Sequence, residues 1–507
     1  MRTVAGRTDR VVVVGAGFAG LSAALHLAGR GRQVTVLERE QVPGGRAGRF
    51  DLDGYHLDTG PSVLTMPDII DDTLAAVGAT LADHVQLTEL DPAYLARFAD
   101  GASLAVHRDP EQMTQAVRDF AGADAAAGYQ RLRTWLETMH RVEFDRFVAS
   151  NFDSPLSMLS PQLARLITLR GFGRLDPVIG RFISDERLRR VFTFQSLYVG
   201  QAPQQALALY AVITYMDTVA GVYFPQGGIR AIPDALAAAA TKAGVEFRYG
   251  TTVDELERTG QRVHAVRTSD GDRYACDAVV LTTELPVSYR LLGGAPRRLV
   301  PLRAAPSAVV LHAGSDHTWP QLAHHTISFG AAWRSTFTEL IDHGSLMQDP
   351  SLLITRPSST DPQLAPPGHD VISILAPVPN LATGPRDWDR DGPQYAEQLI
   401  DLVEQRIAPG LSASLTATKL FTPADWARQD MTAGSPFAWS HSFAQTGPFR
   451  PGNFPRRSDN VVLAGGGTVP GVGVPTALIS GRLAADRITG LPTTRPVRSR
   501  PTVGDPP

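Results

Sequence analysis

Three glycines, Gly15, Gly17 and Gly20, stand as G-x-G-x-x-G in "VVVVGAGFAGLSAALHLA", with Phe18 and Ala19 between the last two. Gly15 permits a tight turn, Gly17 lets backbone approach a pyrophosphate, and Gly20 lets a helix pack close to the strand before it. Helix N–H groups and the helix dipole then hold the two phosphates. The next strand-like run, "QVTVLERE", carries Glu38 about 20 residues on, placed to accept from an adenosine ribose hydroxyl, with Arg39 beside it. Strand before, helix after and acid at the end of the second strand make this a dinucleotide site. The motif alone leaves NAD and FAD open.

Directly after Glu38 comes "REQVPGGRAGRFDLDGYHLDTGPSVL". Gly44 and Gly45 supply flexible backbone there. Arg46 adds a guanidinium beside the first turn, a charged hydrogen-bonding partner suited to a long diphosphate. A second strand–turn–helix follows some 450 residues later, in "VVLAGGGTVPGVGVPTALISGRLAAD" from Val461 to Asp486. Its turn holds Gly465–Gly467, and its helix is predicted to begin near Val474–Pro475, where proline is tolerated in a first turn. In between, "GVEFRYGTTVDELERTGQRVHAVRTSDGDRYACDAVVLTTE" predicts two strands, a hairpin at "SDGD" and the strand "AVVLTT".

These elements need a large scaffold. The chain has 507 residues, too many for one hydrophobic core, so two or three domains are expected. Hydrophobic residues are 43% and charged residues 20%, the balance of an ordinary soluble protein. A net charge of −3 gives no electrostatic footprint for nucleic acid. Positive charge is carried by arginine, since only Lys242 and Lys419 are lysines. The single Cys276 excludes an internal disulfide and a Cys-rich metal site, and fits a reducing, cytoplasmic compartment. Met1 leads through a short polar segment into the glycine motif, with no signal peptide in view. Ala206–Phe224 approaches the length of a membrane span, but Asp217, Gly221 and two threonines interrupt it. We read it as a buried helix running into a strand. The Pro- and Arg-rich tail after Gly490 is expected to be disordered.

The "PGGR" and "DTGPSVL" segments resemble the glutathione-reductase-like FAD superfamily. That resemblance implies FAD, with Gly45, Arg46, Gly60, Pro61 and Ser62 near it and Val253 of the inserted sheet as an adenine contact. Gly466, Gly473 and Val474 then belong to a helix N-terminus aimed at the pyrimidine end of the flavin, where a dipole's positive end favours the reduced ring. One cofactor site assembled from both ends of the chain accounts for both glycine turns. The absence of a second G-x-G-x-x-G argues against a paired NAD(P)H reductase, so electrons leave to oxygen, a quinone or another acceptor.

The resemblance narrows in "QLAHHTISFG", "PQLAPPGHDVISILAPVPN", "FTPADW" and "GTVPGVGVPTALISGRLAA", which look like bacterial-type phytoene desaturases. "NFDSPLSML" with "GVYFPQGGIRAIPDAL" is similar to actinobacterial members in particular, and the likeness covers Arg10 to Ile488. It implies an α/β fold: a Rossmann-like FAD-binding domain (8–80, 221–292, 423–490), a mixed-sheet substrate domain (81–109, 293–422) and a helical cap (110–220). It also implies desaturation of phytoene in carotenoid biosynthesis, by hydride transfer to flavin N5 with loss of a proton. A later-pathway 3,4-desaturase, a ketolase-like oxidase and a flavin-dependent polyene isomerase are the alternatives. The substrate has no charge to grip, so an apolar, elongated pocket is expected, lined from "VFTFQSLYVGQAP", "ALALYAVITYM" and "VYFPQGG". Apolar residues among arginines at Leu156–Phe172 and Phe182–Phe194 suggest a peripheral contact with the inner face of the membrane. The Asp-x-x-Arg pair of enterobacterial members is replaced by Pro155 and Met158. The remaining polar candidates for catalysis are His324, His325, Asp217 and Tyr223. No metal is expected.

Overall fold

The computed structural model describes residues 1–491; the tail expected to be disordered falls, from 492 on, outside the described residues. Its organising element is a five-stranded parallel sheet, in the order Glu246–Arg248, Gln33–Leu37, Arg10–Val14, Ala278–Leu281, Val461–Leu463. By position in the chain that order is 3-2-1-4-5. Crossovers therefore leave the first strand in opposite directions, opening a crevice beyond its carboxyl end.

The β-branched run of the first strand is buried on both faces, which is why it reads as continuous valine rather than alternating. Val11 and Val13 pack on the side of the helices Phe18–Ala28 and Val474–Thr489. Val12 and Val14 face the three-stranded antiparallel meander Val253–Thr259, Arg262–Thr268, Arg273–Ala275. The two helices touch backbone to backbone: a Cβ on Gly481 would lie 2.2 Å from the Ala19 carbonyl oxygen. Ser22 Oγ closes the contact by donating to Leu478 O at 2.7 Å.

A seven-stranded mixed sheet lies beside this unit, in the order Leu415–Phe421, Ser307–Ser315, Asp370–Val378, Leu352–Thr355, His325–Phe329, Tyr94–Phe98, Ser103–Val106. The pair His325–Phe329 with Tyr94–Phe98 is parallel; the rest are antiparallel. Period-2 alternation gives it two apolar faces. Val309, Leu311, Ile372 and Ile374 bury against the helix Trp388–Arg406, while Val310, Leu353 and Leu375 face a cavity. Helices Pro110–Ala121 and Ala123–Glu143 begin the cap. The apolar stretch Ala206–Phe224 forms short helical turns that end in the strand Val222–Pro225. Among the described residues no helix is long and apolar enough to cross a membrane.

Candidate functional site

Both glycine turns open on one cavity of about 1260 Å³. Gly15 sits at φ +102°, and a Cβ on it would come within 2.5 Å of Thr282 Oγ1. Gly20 has no room for a side chain, because its Cβ would fall 1.9 Å from Gly15 O. The helix can therefore begin immediately after the strand. Neither this helix nor Val474–Thr489 has a side-chain cap, whereas Asp109, Ser160 and Asp185 cap other helices of the chain. First-turn residues Phe18, Ala19, Val474 and Pro475 line the cavity. Two helix ends with free N–H groups thus converge on one space, which fits a ligand carrying phosphates and an anionic or carbonyl-rich ring.

The remaining polar residues of this arm agree with such a ligand. Glu38 is buried, its carboxylate held by Ala16 N at 2.5 Å and Glu40 N at 2.9 Å. Arg39 pairs with Asp430 at 2.9 Å, and Arg46 forms an ion pair with Glu284. All five of these side chains lie on the cavity wall, as do Gly15, Gly17, Gly45, Gly60, Pro61, Ser62, Val253, Gly466 and Gly473. Of the residues expected at the cofactor, Gly20 alone is off the wall, since its role is packing. Asp58 of "DTGPSVL" is also set back. It is half-buried, desolvation raises its pKa to about 6, and its carboxylate accepts from Ile229 N at 2.6 Å and Arg230 N at 3.3 Å. It thereby anchors the turn before the helix Ala231–Lys242.

The other arm is apolar. Phe194, Leu209, Met216, Phe329 and Trp333 line it, together with the sheet face described above. Two of the three stretches expected to line the pocket do so; "VYFPQGG" does not, because its strand pairs with Leu64–Thr65 and Leu87–Glu89 away from the cavity. The four polar candidates separate. His324 and His325 do not reach the cavity: they bond Thr360 Oγ1 at 2.7 Å and Thr355 Oγ1 at 3.2 Å and pack against Phe224 and Tyr94. Burial lowers both pKa values, His325 to about 3, so these are neutral packing residues. Tyr223 also stands off the wall, its hydroxyl donating to Ala220 O at 3.4 Å. Asp217 does line the cavity. It is 2% exposed, accepts from Tyr94 Oη at 3.1 Å, and burial raises its pKa to about 7. Among the described residues no group of three or more His, Cys, Asp or Glu could hold a metal ion.

The cavity's apolar arm is bordered by Pro155, Met158, Phe172, Phe443 and Phe449. Leu156 and Leu159 beside them are 75% and 67% exposed. The turn Pro155–Met158 reaches Gly447, whose Cβ would lie 3.6 Å from Met158 Cε, so the exposed residues of both segments form one patch. The second segment expected on such a face, Phe182–Phe194, lies elsewhere. Ile183, Leu188, Val191 and Phe192 are core, Arg190 turns inward to Gly330 O at 2.7 Å, and Arg187 pairs with Asp100 and Asp185.

Sequence reasoning missed several wall residues. Thr282–Glu284 follow the strand Ala278–Leu281 at the crevice, a position the strand order could have flagged. Glu143 gave no signal. It ends a long helix, yet its carboxyl lies buried on the cavity wall without a hydrogen-bond partner for Oε2, and burial holds its pKa well above the usual range.

Comparison with known proteins follows this geometry. The family described as flavin containing amine oxidoreductase matches residues 18–489. A phytoene dehydrogenase of Streptomyces griseus is 60% identical over 503 residues, 99% of either chain. A zeta-carotene-forming phytoene desaturase of Myxococcus xanthus is 34% identical, covering 94% of this chain and 93% of its own. Among solved structures, an oxidoreductase from Methanosarcina mazei superposes with a TM-score of 0.60 at 16% identity, over 93% of this chain and 98% of that one, a likeness of fold.

Proposed function

The chain belongs to the flavin containing amine oxidoreductase family, and from that premise we propose that it is an FAD-dependent desaturase of phytoene acting in carotenoid biosynthesis. The observation that carries this reading is the single cavity whose one arm is built from two uncapped helix ends and whose other arm is apolar. When bound, FAD supplies the oxidant, accepting a hydride at flavin N5 from the carbon next to the polyene.

The residues of the chain do the rest. Phe18, Ala19 and the Val474 turn offer N–H groups to the cofactor, and Arg46 offers its guanidinium. Phe194, Phe329 and Trp333 align a flexible hydrocarbon and exclude water. Asp217, whose Oδ2 is held by Tyr94, takes up the proton. A base that titrates near neutrality is well matched to that task. The exposed leucines and phenylalanines at the mouth support a cytoplasmic protein resting on the inner face of the membrane, drawing substrate straight from the bilayer. Oxygen or a quinone would serve as the electron acceptor.

Anaerobic incubation of the FAD-loaded protein with phytoene in liposomes tests this directly. Loss of the oxidised flavin absorbance, with longer polyene chromophores on chromatography, is expected. A flavin left oxidised by phytoene but reduced by a coloured carotene or an amine would move the enzyme to another substrate.

A further inference from the structure

Arg450 is 3% exposed and has no carboxylate partner among the described residues. Burial lowers its pKa to about 10, so it remains a cation at neutral pH. A buried charge is tolerated only when its hydrogen bonds are made, and this one makes them to carbonyl oxygens alone. Nε donates to Thr468 O at 2.8 Å, Nη2 to Gly466 O at 2.7 Å, and Nη1 to Trp439 O and Gln445 O at 3.4 and 3.5 Å. The guanidinium does not line the cavity; Gly466 and Gly467 do. It therefore grips the C-terminal glycine turn from behind.

Peptide planarity gives that grip a direction. In a trans peptide the N–H points opposite to the C=O, so holding Gly466 O toward Arg450 turns the Gly467 N–H the other way. The Val469 N–H, on the peptide of Thr468 O, is used by Pro451 O at 3.2 Å. The Gly467 N–H makes no hydrogen bond among the described residues. Ser480, from the helix Val474–Thr489, fixes the turn's other side, accepting from Gly465 N at 3.0 Å and donating to Val469 O at 2.9 Å. Arg450 and Ser480 thus hold the turn at Gly465, Gly466, Thr468 and Val469.

We infer that Arg450 is a positioning residue for the cofactor: it aims the Gly467 N–H into the cavity as a donor to an oxygen of FAD, and places a positive charge behind that contact. This rests only on the flavin-binding half of the proposed function. Arg450→Lys keeps the charge but loses the two-pronged grip, whereas Arg450→Met loses both. Titration of FAD into stripped protein should show a dissociation constant raised about 10-fold or more in Arg450→Lys and up to about 100-fold in Arg450→Met, the range for charge-assisted bonds. The midpoint potential of the bound flavin should hold in Arg450→Lys and become more negative in Arg450→Met, a readout that a purely structural role would not split. Should Arg450→Met fail to fold, Arg450→Lys and the wild type carry the test. In wild-type protein, hydrogen exchange of the segment 465–468 should slow when FAD binds. Wild-type affinity in Arg450→Lys, or exchange at 465–468 that FAD leaves unchanged, overturns the inference. A wild-type chain that binds no FAD would instead refute the proposed function.

Discussion

The substitution Asp217→Asn removes one buried ionisation and nearly nothing else, since the asparagine amide is isosteric and still accepts from Tyr94. Burial lifts the Asp217 pKa from 3.8 to about 7, against the smaller opposing pull of the Tyr94 hydrogen bond. Between those pH values the folded protein holds a proton that the unfolded chain has released. Stability therefore falls as pH rises from about 4 to about 7, and is flat above. Three units at about 1.36 kcal/mol each put the loss on the order of 4 kcal/mol. An amide cannot ionise, so Asp217→Asn should match the wild type near pH 4 and exceed it increasingly up to pH 7. Urea unfolding midpoints at pH 5 and pH 8 test this; the gap should be about 2.5-fold larger at pH 8. Turnover should move the opposite way, falling about 100- to 10,000-fold and losing its rise with pH through about 7, because a positioned base contributes in that range. Equal gaps at the two pH values would refute the burial argument. Undiminished turnover would remove Asp217 from the chemistry.

Other predictions address the frame and the mouth. Gly481→Val drives a side chain into the Ala19 backbone, costing about 1–3 kcal/mol by thermal melting, and lowers the flavin-to-protein absorbance ratio as the two helix ends part. Asp58→Ala strands the Ile229 and Arg230 N–H groups and should cost about 1–3 kcal/mol in urea unfolding. The pair Leu156→Asp and Leu159→Asp should cut liposome flotation by about 100-fold or more, since each buried leucine contributes about 1.5–3 kcal/mol, while FAD content stays unchanged.

The cofactor arm was legible because its signals are local. Glycine spacing, a β-branched run and an acid at a strand end are read within 30 residues. The substrate arm is assembled from strands spread over 307–421 and from helical turns of 194–216. Period 2 tells which residues share a face, but not which face meets the cavity. The pair His324–His325 reads as chemistry; its imidazoles bond threonines through Nδ1, off the cavity wall. The arginines of Phe182–Phe194 read as a membrane-facing surface, yet Arg190 bonds backbone carbonyls of a loop 140 residues away. Arg450 left no trace in the pattern, because its partners are carbonyls that every residue possesses.

The parallel sheet also sets a timetable for biosynthesis. Its central strand, Arg10–Val14, emerges from the ribosome first, but a neighbour at Ala278–Leu281 and the outer strand Val461–Leu463 come far later. At about 5–20 residues per second, roughly 20 to 90 seconds separate the first glycine turn from the last. For much of that interval the valine run lacks a partner on one side, and pairing across so long a stretch is slow even once the chain is free. Nascent chains stalled anywhere before Val474 should remain colourless, and the yellow of bound flavin would appear only at release.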